Sequence, residues 1–352
     1  MPLNRRSFLA GSVAAGAAVG MTRQSRAQGV EKASIALDWY PNANHAGLFW
    51  AQSKGLFQAA GVDISIETPA DPTTVLQTVA AGRDTFGISY QPDILLARAQ
   101  DVPVVAVCAI VPRPLQGVMS LKSAGIARPS DLRGKTLGYP GIPSQEAFLR
   151  TMLAADGVSM DELTLNNVEF NLLPSLISGQ AAAVMGAFWT HETIVAELEG
   201  YPVDMMKVED WGVPLYDELV LVSSEKTLAD KRDLVDAVLD AVREGYLAAA
   251  ADPKQAIDIL VAAYPETERP VEEQGIALLA ELWTQPEPGF GIMEPDAWEK
   301  FADWMIEHEL LPAGFELDDT IGANLPPLPL ATPTVQGAGT FVPAPFSFAG
   351  DD

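Results

Sequence analysis

The chain has 352 residues, 48% of them apolar, with 47 acidic against 22 basic side chains and a formal charge of −25. That length suits about two domains with cores of their own, and that acidity argues against a phosphate-backbone partner, so no nucleic-acid binding is expected. One cysteine, Cys108, and three histidines, His45, His191 and His308, permit no internal disulfide and leave too few ligands for the usual metal centres or Cys/His and Ser/His catalytic sets, so neither a metal nor a cofactor is expected.

Residues 1–27 read as an export signal. Arg5-Arg6-Ser7-Phe8-Leu9 is a paired-arginine start, Ser7 to Thr22 is uncharged and rich in Ala and Gly, and Ser25-Arg26-Ala27 offers a small-x-small cleavage pattern. The pattern resembles a twin-arginine signal, which implies a periplasmic destination. Removing Arg5, Arg6, Arg23 and Arg26 with it takes the charge from −25 to −29. The apolar run is too short to span a bilayer and no later segment approaches that length, so the mature chain is expected to carry no membrane span.

From Glu31 to about Ala250, short apolar runs alternate with helix-period segments, the pattern of an α/β fold. Strands are predicted at 33–37, 62–67, 85–89 and 102–111, with helices at 46–54, 73–81 and 92–99 between them. A second α/β unit follows, with strands at 117–121, 136–138 and 181–186 and helices at 144–156 and 172–178. In the first of these helices Ser144 is the expected N-cap. Leu219 to Val222 returns as an apolar strand. Beyond it Leu234, Val235, Val238, Leu239, Val242 and Tyr246 fall on one helical face, and Pro253 and Pro295 open further helices. The order predicts two α/β lobes joined by two crossover segments, near Pro112–Gln116 and Trp211–Glu218. Lobe I then comprises 28–115 and 219–323, lobe II comprises 116–218, and 324–352 is a Pro-rich tail.

Ligands of open α/β sheets lie beyond the carboxyl ends of the strands, so four strand-to-helix turns carry the candidate site. The first, Asp38 to Gly47, offers Trp39 as a flat stacking face, with Asn42 and His45 as polar readers. The second places Tyr90 and Gln91 at a helix start. The third, Gly138 to Ser144, offers amides and the Ser144 hydroxyl to a carbonyl or anion, without the Gly-Lys-Ser/Thr of a phosphate loop. The fourth holds Trp189, to close the other side of a flat ligand, and Glu192, to accept from an exocyclic amine. Tyr216, on the return crossing, also lines the expected cleft. Aromatics, amides and a carboxylate suit a small aromatic nitrogen heterocycle. No arginine stands in these turns to hold an anion, Arg113 at the crossing being the nearest.

Leu37-Asp38-Trp39-Tyr40-Pro41-Asn42 through His45, Gly87 through Asp93, Gly138-Tyr139-Pro140-Gly141 and Gly212-Val213-Pro214 through Val222 together resemble the pyrimidine-precursor-binding proteins of thiamine salvage. The likeness spans about 35–225. It implies a type II periplasmic binding protein fold, a ligand such as formylaminopyrimidine or hydroxymethylpyrimidine, and an ABC importer permease as partner. Carried across by position, it points to Trp39, Asn42, His45, Tyr90, Trp189, Glu192 and Tyr216. Riboflavin-binding relatives share the fold, which makes a riboflavin receptor the alternative ligand reading, and sulfonate- and nitrate-binding relatives share it too. A fungal enzyme group with this fold makes the pyrimidine itself with iron, a cysteine cluster and a histidine matching His45. Leu219 to Ser223 holds no cysteine here, so a binding protein rather than an enzyme is expected.

Overall fold

A computed structural model describes residues 30–318 and 320–322; the expected export signal at 1–27 and the expected tail from 324 lie outside the described residues. The first lobe begins with β1 (Glu31–Ala36), β2 (Val62–Glu67), β3 (Phe86–Ser89) and β4 (Val104–Val111). Between them lie α1 (Ala46–Ser53), α2 (Leu56–Ala59), α3 (Val75–Ala80) and α4 (Gln91–Arg98). β2 buries every second side chain because one face meets the core and the other meets solvent. β4 is buried throughout, as its unbroken apolar run requires.

The second lobe holds β5 (Gln116–Leu121), β6 (Thr136–Tyr139), β7 (Thr164–Asn167), β8 (Ala183–Phe188) and β9 (Val203–Lys207). Its helices are α5 (Pro143–Ala155), α6 (Leu172–Ile177) and α7 (Glu192–Leu198). The chain then returns to the first sheet as β10 (Leu219–Ser224). The sheet orders are β2-β1-β3-β10-β4 and β7-β6-β8-β5-β9. In each sheet four strands run the same way, three of them as direct parallel neighbours, and the strand entering from a crossing, β10 or β5, pairs antiparallel on both sides.

Five helices complete the described chain: α8 (Glu225–Asp230), α9 (Arg232–Ala251), α10 (Pro253–Ala263), α11 (Arg269–Trp283) and α12 (Pro295–Glu307). α9 lies hard against α1. A Cβ at Gly47 would sit 2.2 Å from the Tyr246 ring, and one at Gly245 would sit 2.3 Å from the Gly47 carbonyl. Two facing glycines therefore set this distance, and the Tyr246 hydroxyl donates to the Asn44 carbonyl at 2.9 Å, fixing the turn that opens α1.

The helical end is not confined to the first lobe. Trp298, Phe301 and Trp304 of α12 join one apolar cluster with Val220 of the first sheet and Phe148 and Met185 of the second lobe. Ser144 is not an N-cap either. Ile142 takes that place and Pro143 fills the first helical position, where a missing N–H leaves no bond unmade.

Candidate functional site

A small cavity lies between the lobes. Asp38, Trp39 and Asn42 from the turn after β1 and Tyr90 from the end of β3 form its first-lobe side. Pro140, Ile142 and Gln145 after β6, and Gly186, Phe188, His191 and Glu192 at the end of β8, form the other. All four predicted turns therefore meet at one place. Among the described residues no arginine or lysine lines it.

The turn after β1 is organised by its own side chains. Asn42 caps the 3₁₀ turn Ala43–His45, its Oδ1 accepting from the Asn44 N–H at 2.9 Å while its Nδ2 donates to the Tyr40 carbonyl. His45 Nδ1 accepts from the Asn42 N–H at 3.2 Å, which puts the ring proton on Nε2, 2.9 Å from Asp38 Oδ1. The Tyr90 hydroxyl donates to the other oxygen, Oδ2, at 3.0 Å. Burial, then the neighbouring Asp38 and Glu218 carboxylates, hold the Tyr90 phenol well above its ordinary pKa, so it remains a donor. His45, 1% exposed, sits behind this network and does not line the cavity.

Half-buried Trp39 meets Phe170, from the segment between β7 and α6, with ring centroids 4.4 Å apart, and Tyr40 meets the same ring at 4.5 Å. This three-ring contact joins the lobes beside the cavity. Glu192 accepts from the Phe188 N–H through Oε2 at 2.8 Å. His191 Nδ1 lies 3.8 Å from the buried Glu272 carboxylate of α11, which also accepts from the Ala43 N–H. Burial raises the Glu272 carboxyl above the ordinary range.

Four other predicted site residues are turned away from the cavity, each for a visible reason. Gln91 Oε1 accepts from the Asp217 N–H at 2.7 Å, tying α4 to the return crossing. Ser144 donates its hydroxyl to Asp93 at 2.6 Å and its N–H to the same carboxylate, a link from α4 to α5 across the lobes. Burial outweighs those two donors and lifts the Asp93 carboxyl to about 6. Trp189 packs on the first crossing: Nε1 donates to the Pro114 carbonyl at 3.3 Å and Lys207 Nζ sits 4.4 Å from its ring centroid. Tyr216 stands between Phe148 and Phe301, both at 5.2 Å, and donates to Glu218.

Glu218 holds the crossings together. It accepts from the Leu115 and Gln116 N–H groups, from Gln116 Nε2 and from Tyr216. Burial lifts its carboxyl to about 7, and that of its neighbour Asp217, which accepts from Trp298 Nε1 at 2.7 Å, also to about 7.

Sequence reasoning did not single out Asp38, Gln145, Phe170, Phe188 or His191. Asp38 stands in the quoted turn, and Gln145 and Phe188 each lie one residue from a candidate, so the turns carried the signal and the phase within them did not.

The protein-family model described as NMT1/THI5 like matches residues 42–256. A formylaminopyrimidine-binding protein of Halalkalibacterium halodurans is 38% identical over 288 residues, covering 81% of this chain and 87% of that one. A putative thiamine biosynthesis protein of Haemophilus influenzae is 33% identical, covering 82% and 91%. A 4-amino-5-hydroxymethyl-2-methylpyrimidine phosphate synthase of Schizosaccharomyces pombe is 24% identical, covering 83% and 85%. Among solved structures, the alkanesulfonate-binding protein of Xanthomonas axonopodis pv. citri superposes with a TM-score of 0.68 at 17% identity, covering 84% of this chain and 99% of that one. The nitrate-binding protein of Synechocystis does so with 0.64 at 13%, covering 81% and 83%. At such identities the likeness establishes the fold, a type II periplasmic binding fold of two α/β lobes joined by two crossovers.

Proposed function

We propose, from the premise that the chain belongs to the NMT1/THI5-like family, that it is the substrate-binding component of an ABC importer and captures a thiamine pyrimidine precursor, formylaminopyrimidine or hydroxymethylpyrimidine. The observation that carries this reading is the 38% identity, over four-fifths of both chains, to a formylaminopyrimidine-binding protein. The cavity supports it, being small, flanked by Trp39 and Phe188 from opposite lobes, carboxylate-bearing and, among the described residues, without an arginine or lysine that would select a sulfonate or nitrate.

Binding then works by closure. The indole of Trp39 offers a broad apolar face to a flat ring, Glu192 accepts from ligand N–H groups, and the lobes meet around them. A membrane permease recognises the closed pair of lobes. The protein works in the periplasm, delivered there by its twin-arginine signal, and among the described residues no helix is long and apolar enough to cross a membrane.

The chain does no chemistry on its ligand. Both His45 nitrogens are engaged, and Cys108 is buried in β4 with its thiol pushed up to about 12. Calorimetry of the ligand-stripped chain against formylaminopyrimidine, hydroxymethylpyrimidine, thiamine, riboflavin and taurine tests this reading. Saturable one-site binding of a pyrimidine precursor is expected. Binding of riboflavin alone, or formation of pyrimidine by the protein supplied with iron, would replace it with the receptor or synthase alternative.

A further inference from the structure

The polar groups around the cavity divide by whether they already have a protein partner. Asp38 accepts at both oxygens, Asn42 is engaged at both ends of its amide, and the Tyr90 hydroxyl donates to Asp38. Gln145 differs. Its side chain lines the cavity, the residue is 3% exposed, and its Oε1 is buried with no hydrogen-bond partner among the described residues. A buried carbonyl left this way is a standing penalty unless a donor arrives from outside the protein.

The local backbone is arranged to accommodate this amide. β8 carries a bulge opposite β5: Ala187 faces Gly117 and Met185 faces Val118, so Gly186 is the extra residue. Its φ of +93° is one that L side chains rarely adopt. A Cβ there would lie 2.4 Å from Gln145 Nε2 and 3.0 Å from its Cδ. The bulge and the missing side chain together leave the bed on which the Gln145 amide lies, at the cavity wall.

A carboxamide presents an acceptor and a donor side by side. Its complement on a flat heterocycle is a ring nitrogen next to an exocyclic amine, a donor–acceptor pairing of the same kind as the N6 and N7 contacts by which glutamine and asparagine recognise adenine. We infer that Gln145 is the specificity-determining residue of the cleft, Oε1 accepting from an exocyclic amine and Nε2 donating to the adjacent ring nitrogen of an aminopyrimidine. This rests on the aminopyrimidine reading given above and adds the residue and the ligand edge that meet.

The test is a cycle of two proteins and two ligands, by calorimetry. Wild type and Gln145→Met are titrated with hydroxymethylpyrimidine and with its analogue lacking the 4-amino group. Wild type is expected to prefer the amine by about 10- to 100-fold, and Q145M to shrink that preference at least about tenfold. An unchanged preference in Q145M overturns the assignment of Gln145 alone. Wild type binding neither pyrimidine overturns the ligand reading and this inference with it, so the two failures are distinct. Should Q145M not fold, Gln145→Glu keeps the shape and the acceptor but not the donor. With an analogue whose adjacent ring nitrogen is CH, Q145E is expected to lose or reverse the preference for nitrogen that wild type shows at about tenfold, and a preference equal to that of wild type contradicts the inference.

Discussion

On the first lobe's side of the cleft, Asp38, Asn42, His45 and Tyr90 bond one another and the local backbone, whereas across the gap Gln145 keeps a buried oxygen without a partner and Glu192 uses one oxygen on Phe188. One wall is stiffened by its own hydrogen bonds and presents shape, chiefly the Trp39 indole. The other presents unmet hydrogen-bonding capacity, which under the proposed function reads the ligand's chemistry. A side chain's type does not separate these roles, since both walls hold carboxylates and amides. What separates them is whether a protein partner stands within reach.

The contrast can be broken first at Asp38. Asp38→Ala leaves His45 Nε2 and the Tyr90 hydroxyl buried without their acceptor, so unfolding by urea is expected to show a loss of about 3 kcal/mol. A wild-type midpoint would mean that this wall is not stiffened as described. Trp39→Ala acts on the same wall but on shape. It is expected to weaken pyrimidine binding by about 2 kcal/mol, roughly 30-fold by calorimetry, while the half-buried position leaves the midpoint within about 1 kcal/mol of wild type.

Glu192→Gln probes the reading wall. The amide oxygen can still accept from the Phe188 N–H, so stability should hold while binding weakens by about 1.5 kcal/mol through the lost charge. An E192Q protein with unchanged affinity but lowered stability would place Glu192 with the first wall instead. The smallest effect concerns the crossings, which are also internally bonded. Glu218 has its folded pKa raised to about 7 from an ordinary value of 4.5, so the folded state holds this proton more tightly than the unfolded chain. The associated stability is present below the ordinary carboxylate range and is lost as pH rises through about 7. Thermal unfolding should therefore show stability falling between pH 6 and 8, Glu218 contributing about 1 kcal/mol and Asp217, also raised to about 7, adding in the same direction, so Glu218→Gln should reduce that slope without abolishing it.

Much of the fold is legible in the sequence because burial on both faces leaves unbroken apolar runs, as in Val104–Val111 and Leu219–Val222. β7 and β9 are not legible this way. They lie at the edges of the second sheet, and Thr164–Asn167 is exposed at both ends and half-buried between, so no apolar run marks it. The four turns of the site are legible from strand order, since ligand clefts form at strand ends. The phase inside them is not. The bulge at Gly186 decides that Phe188 lines the cavity while Trp189 packs on the crossing, and Pro143 at the helix start decides that Gln145 faces the cavity while Ser144 reaches Asp93. Nor do Gln91 and Tyr216 announce their partners. Gln91 meets Asp217 126 residues away, and Gln116 meets Tyr216 100 residues away, contacts that local pattern does not encode.

The central claim is that a flat nitrogen ring lies between these two unlike walls. A crystal structure of the protein with formylaminopyrimidine tests it most directly. The account predicts the ring against the Trp39 indole with its amine within hydrogen-bond distance of Gln145 and Glu192. A ring bound outside the cleft, or one whose polar atoms all meet the first wall, would contradict it.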